Sequence, residues 1–99
     1  MRLLVTRPMT DRATRAIAGR FDATFRDNTP LSEAEASAAL RDYDAIIPTL
    51  GDAFGAEAFQ GDLRCRLLAN FGAGFNHIDI AAARAAGVAV MGAIMGAAD

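Results

Sequence analysis

The stretch Asn70–Asp79, NFGAGFNHID, carries the residue types best suited to chemistry in this 99-residue chain: two glycines one residue apart, a histidine and an aspartate. Closely spaced glycines let backbone N–H groups approach an anion, and in the dinucleotide fingerprint G-x-G-x-x-G that anion is a pyrophosphate. Gly72 and Gly74 fill the first two positions here, but His77 stands at the third, where an imidazole would push helix and strand apart. The segment GVAVMGAIMG that follows offers no acidic residue to hold a ribose. The pattern therefore argues against a dinucleotide and permits a smaller anion, although spacing alone favours a plain turn. Successive N–H groups of Ala73, Gly74 and Phe75, near a helix start, would suit one carboxylate. The competing reading is a tight strand-to-helix turn with glycine at positive φ and Asp79 as helix cap.

The remaining reactive side chains narrow the field by exclusion. His77 is the one histidine, and at a helix start it reads as a surface or capping group rather than a proton carrier. Cys65 is the one cysteine, which forbids an intramolecular disulfide and fits a reducing, cytoplasmic compartment. All 10 basic residues are arginine, so chemistry that needs a lysine ammonium or Schiff base is ruled out. A net charge of -2 and a pI near 5.2 give no electrostatic footprint for nucleic acid or an anionic membrane. The start, MRLLVTRPMTD, is interrupted by Thr6, Arg7 and Pro8 too soon for a signal peptide or a membrane span. No metal-ligating set is expected.

The elements that must position these residues follow from the apolar pattern. With 53% hydrophobic and 22% charged residues the chain reads as globular. Short apolar runs, LLV, ATF, AIIPTL, RLLANF and VAVM, recur about every 22 residues, roughly one strand plus one helix. Helical periodicity between them predicts a mostly parallel α/β sheet. Ser32 and Glu35 form a capping box, with Leu31 placed to staple against Ala36, and Ala36, Ala39, Leu40 and Tyr43 on one inward stripe. The first helix is expected to start at a Thr10 cap and to turn Ala13, Ile17 and Phe21 inward. A further helix should run from Asp79 to a stop at Gly87. Pro48 should end the third strand's pairing, which puts Thr49, Leu50, Gly51 and Asp52 at a carboxyl strand end, either lining a ligand site or forming a surface loop with no ligand.

The order LLVTRPM, AIIPTLGD, LLANFGAGFNHIDIAAARAAGVAV resembles the amino-terminal part of the NAD(P)-dependent D-2-hydroxyacid dehydrogenases, in the glyoxylate and hydroxypyruvate reductase branch. The likeness covers residues 1–90 and leaves 91–99, with MGAIMGAAD, as a divergent tail of a single domain spanning 1–99. It implies a flavodoxin-like substrate-binding domain: a five-stranded parallel sheet of order 2-1-3-4-5 with helices on both faces, the last helix missing or replaced. It also implies that the N–H groups of Ala73 and Gly74 hold the carboxylate of a small 2-oxo acid, with Leu50 and Gly51 beside them.

The same resemblance implies what the chain is expected to lack. In that family the catalytic arginine, histidine and glutamate, and the NAD(P) site, come from a later part of a much longer chain. His77 matches a variable position and inherits no catalytic role. The expectation is thus a truncated substrate-binding domain that binds a 2-oxo acid weakly, with no cofactor of its own and no catalysis alone. The alternative is a self-associating interaction module, a homodimer through an uncovered sheet face or the tail, or an engineered fragment without ligand binding. A phosphorylation receiver is excluded because Thr6, Arg7 and Pro8 stand where an acidic pair belongs and lysine is missing. A flavin carrier is excluded because TRPMTD cannot cradle a phosphate with Pro8 in it.

Overall fold

In the computed structural model, which describes residues 1–27, 29–49, 51–70 and 77–91, the five apolar runs become five strands. They are β1 (Arg2–Val5), β2 (Asp22–Phe25), β3 (Ala45–Ile47), β4 (Leu67–Ala69) and β5 (Ala89–Met91). All neighbours pair in parallel, in the order β2-β1-β3-β4-β5, which is the expected flavodoxin-like arrangement. β3 stops at Ile47, immediately before the proline that has no N–H to give a neighbour.

The two-residue period of the strands divides the core between the faces of the sheet. Leu4, Ile46 and Leu68 point to one side and pack with Leu40, Phe54, Phe59 and Ala83. Leu3, Val5, Ala45 and Ile47 point to the other and meet Met9 and Ile17. Three helices, α1 (Asp11–Ala18), α2 (Glu33–Asp42) and α3 (Ile80–Ala85), with a 3-10 turn at Ala56–Phe59, connect the strands.

α2 is built as its sequence predicts. The Ser32 hydroxyl accepts from Glu35 N at 3.2 Å, and the Glu35 carboxylate accepts from Ser32 N at 3.0 Å, so two orphan donors of the first turn are satisfied. That bonding holds the Glu35 carboxyl below its usual range. Leu31, Ala36, Ala39 and Leu40 are buried in one cluster, and Tyr43 packs on its border. α3 ends in a Schellman motif. Val88 N donates to Ala83 O at 2.9 Å and Gly87 N to Arg84 O at 3.1 Å, with Gly87 at φ 80, a region other residues enter at a cost.

α1 departs from expectation. Its Thr10 cap is present, accepting from Ala13 N at 3.2 Å, but the helix buries no residue, and Phe21 is 40% exposed rather than inward. The reason is that α1 closes at Ala18, so the helical spacing that aligns Phe21 with Ile17 does not reach it. Among the described residues the sheet face under α1 is unevenly covered: Leu67 and Ala69 are only partly buried, while Ala89 and Met91 are exposed. Residues 92–99, expected as a divergent tail, lie outside the described residues.

Two further features complete the frame. At the amino ends of the strands the Asp44 carboxylate accepts from Arg2 N at 2.7 Å and Arg64 Nε at 2.8 Å, which holds its carboxyl below the usual range, the Arg64 bond contributing most. Cys65, with 0% exposure, donates its thiol to Leu67 O at 3.3 Å, and burial pushes that thiol up to about 11. No helix among the described residues is long and apolar enough to cross a membrane.

Candidate functional site

The chain leaves β1 toward β2 on one side and returns to β3 on the other, so the strand order reverses between these two neighbours. At such a point the connections diverge from the carboxyl ends of the strands and leave a crevice. Thr6 and Arg7 follow β1, Thr49, Gly51 and Asp52 follow β3, Asn70 follows β4, and His77 precedes α3. The Thr6 and Thr49 hydroxyls meet at 3.2 Å across the switch point.

Asp52 is the centre of this end of the sheet. Its side chain is fully buried, and Oδ1 accepts from Arg7 Nη1 at 2.6 Å and from Leu31 N at 2.9 Å, while Oδ2 accepts from Thr49 N at 2.9 Å. A buried carboxylate survives only with such company, because desolvation costs several kcal/mol per ion, on the order of what good pairing returns. Arg7 Nη1 also donates to Thr6 O at 3.0 Å, which aims the guanidinium along the loop after β3. Gly51 in that loop has φ 102, and a Cβ there would lie 3.4 Å from Arg7 Nη2. The backbone conformation favours glycine, while the contact itself is of ordinary van der Waals length.

The loop after β3 is stitched to the turn before α3. Phe54 N donates to His77 O at 3.0 Å, Asp79 N donates to Phe54 O at 2.8 Å, and Phe54 pairs with Ile78 as a parallel bridge. Phe54 has 0% exposure and its ring tilts against Phe59 at 6.4 Å, so the stitch is anchored in the core. Asp79 caps α3, accepting from Ala82 N at 2.9 Å.

The cap of α3 is Asp79, and His77, expected at the surface or as a cap, is half-buried. Its Nε2 lies 2.6 Å from Oδ1 of the fully buried Asn70, and its Nδ1 is buried with no hydrogen-bond partner among the described residues. With an amide oxygen as acceptor, the neutral ring carries its proton on Nε2. Burial pushes the His77 pKa down, Asp52 pulls it up, and Arg7 pushes it down again. Asn70 and His77 bracket residues 71–76, so their bond ties together the two ends of the glycine loop. Ala73, Gly74 and Leu50, the expected carboxylate contacts, lie outside the described residues; Gly51 is placed at the switch point, one residue from Asp52.

Among the described residues this end of the sheet thus gathers two mutually bonded hydroxyls, a charge-balanced Arg7–Asp52 pair and the Asn70–His77 bond. No three His, Cys, Asp or Glu residues gather to hold a metal among the described residues. Sequence reading missed Arg7 and Thr6, which it took only as an interruption, and Asn70. The available signal was an arginine directly after the first strand and an aspartate shortly after the third, adjacent strands at a switch point.

The fold is thus that of a flavodoxin-like α/β domain with its switch point between β1 and β3. A family model for D-isomer specific 2-hydroxyacid dehydrogenase, catalytic domain, matches residues 3–98, and the chain belongs to that family. Among curated proteins it is similar to a glyoxylate reductase of Korarchaeum cryptofilum (strain OPF8), 29% identical over 90 residues, which are 90% of this chain and 27% of that protein. A glyoxylate reductase of Thermococcus onnurineus (strain NA1) is 27% identical over 88 residues, 88% of this chain and 26% of that protein. Among solved structures, the TT0316 protein of Thermus thermophilus superposes with a TM-score of 0.76 at 28% identity, covering 91% of this chain and 29% of that one. The chain thus spans about a quarter of the length of the curated relatives it matches.

Proposed function

We propose that these residues form the substrate-holding part of a reductase of small 2-oxo acids, of the glyoxylate or hydroxypyruvate type. The N–H groups of Ala73 and Gly74 hold the substrate carboxylate, with Leu50 and Gly51 closing beside it. In this reading the 99 residues bind the 2-oxo acid weakly and do not reduce it alone, because hydride transfer needs an NAD(P) site and a proton donor brought by other residues. A cytoplasmic setting goes with it. One observation supports the reading most: the backbone exchange of Phe54 with His77 and Asp79, which brings the loop after β3 against the end of the glycine loop at the switch point.

Titrating glyoxylate while following backbone amide resonances tests it. Saturable shifts at Ala73, Gly74 and Gly51 are expected at millimolar ligand, and no response there would overturn the reading.

A second reading is favoured by Met91, which is 54% exposed beside exposed Ala89 on the incompletely covered sheet face. It makes that half of the sheet a self-association surface and the chain a homodimer. Light scattering after gel filtration decides it, since a monomer at high concentration is incompatible with that surface being used by a second copy.

A further inference from the structure

We infer that Asp52, clamped by Arg7, is a positioning residue that makes the loop after β3 and the turn before α3 one mechanical unit. Its consequence for carboxylate binding rests on the reading above; the coupling itself rests on geometry alone.

Three segments converge on the Asp52 side chain: Arg7 after β1, Leu31 before α2, and Thr49 after β3, at 2.6, 2.9 and 2.9 Å. The backbone of the same stretch continues the tie. Ala53 N donates to Leu31 O at 3.0 Å, and Phe54 N is shared between Asp52 O at 3.2 Å and His77 O at 3.0 Å. A shift of Asp52 therefore reaches the His77 end of the glycine loop through one residue of chain and two hydrogen bonds. The charge balance matters as much as the geometry. A lone carboxylate under an anion site would repel the substrate, and Arg7 cancels it at contact distance.

Asparagine at 52 separates these roles without changing volume. If its amide oxygen keeps Arg7 and Leu31, its NH2 group faces Thr49 N–H, donor against donor, and the loop is released at Thr49 first. The strand ladder takes no part in the change.

Amide hydrogen exchange on the full chain, with a glyoxylate titration on the same samples, tests the inference. Asp52→Asn should speed exchange about tenfold or more at Thr49, Phe54 and Asp79, while Ile46 and Leu68 in the strands change by less than about twofold. Glyoxylate binding should weaken by about tenfold in the same folded sample. Should Asp52→Asn not fold, Arg7→Lys serves: it keeps the charge, loses the fork geometry, and gives the same local pattern on a smaller scale. Unchanged protection at Thr49, Phe54 and Asp79, equal acceleration of every amide, or unaltered glyoxylate affinity in a folded variant would each overturn the inference. If the parent chain itself ignores glyoxylate, the carboxylate reading falls, and the exchange pattern alone decides the coupling.

Discussion

Two aspartate–arginine pairs hold the opposite ends of this sheet with nearly the same bonding and very different surroundings. At the amino ends, Asp44 joins Arg2 N and the Arg64 side chain in the open, the side chains being 31% and 48% exposed. At the carboxyl ends, Asp52 joins two backbone N–H groups and Arg7, with side-chain exposures of 0% and 11%. Water competes for the first pair and screens it; it cannot reach Asp52. The amino-end pair trims the edge of the fold, whereas the carboxyl-end pair determines where a loop sits. In open α/β sheets ligands bind at the carboxyl ends of the strands, which is the end that the buried pair holds.

Breaking the buried pair should have the largest effect. Arg7→Met leaves Asp52 uncompensated in the interior, and urea unfolding should show a loss of about 3 to 5 kcal/mol. A loss below about 1 kcal/mol would mean the two ends of the sheet are electrostatically alike. Gly51→Ala should follow, at about 1 to 2 kcal/mol, since alanine must adopt φ near 102 beside the guanidinium. Ser32→Ala, which opens the capping box of α2 without removing a partner of either pair, should cost about 1 kcal/mol by thermal unfolding.

A pH titration sharpens the comparison further. The folded His77 pKa lies below its ordinary value of 6.5, so the unfolded chain binds the proton more readily in that interval. Stability should be full above pH 6.5 and fall as the pH drops from there toward the folded pKa. His77→Gln, which can still donate to Asn70, should flatten that slope, and an unchanged slope would assign it to other groups. Asp44→Asn should give the smallest effect, a shift in unfolding midpoint near experimental scatter that disappears in molar salt.

Much of the fold was legible because strong local signals agreed. The apolar runs, the Ser32–Glu35 box, the Gly87 stop and the Pro48 limit each act over a few residues, and each is where the pattern placed it. Phe21 was misread because periodicity says nothing of where a helix ends. The site was less legible for a related reason. Arg7, Asp52 and Leu31 are far apart in the chain, and nothing local in TRPM or GDAF says that their side chains and backbone meet under a switch point. Only the topology brings them together. His77 was judged by its neighbours in sequence, whereas its role is set by Asn70 across the loop.

The sealed thiol of Cys65 turns the molecule into its own clock. A thiol reagent attacks only the thiolate, and this group is both fully enclosed and reluctant to ionise, with its pKa pushed up to about 11. Its backbone N–H is bonded to Leu40 O at 2.9 Å, at the packing joint between α2 and the approach to β4. Modification therefore has to wait for that joint to open. The labelling rate of this single cysteine counts the openings that expose the joint between α2 and the approach to β4.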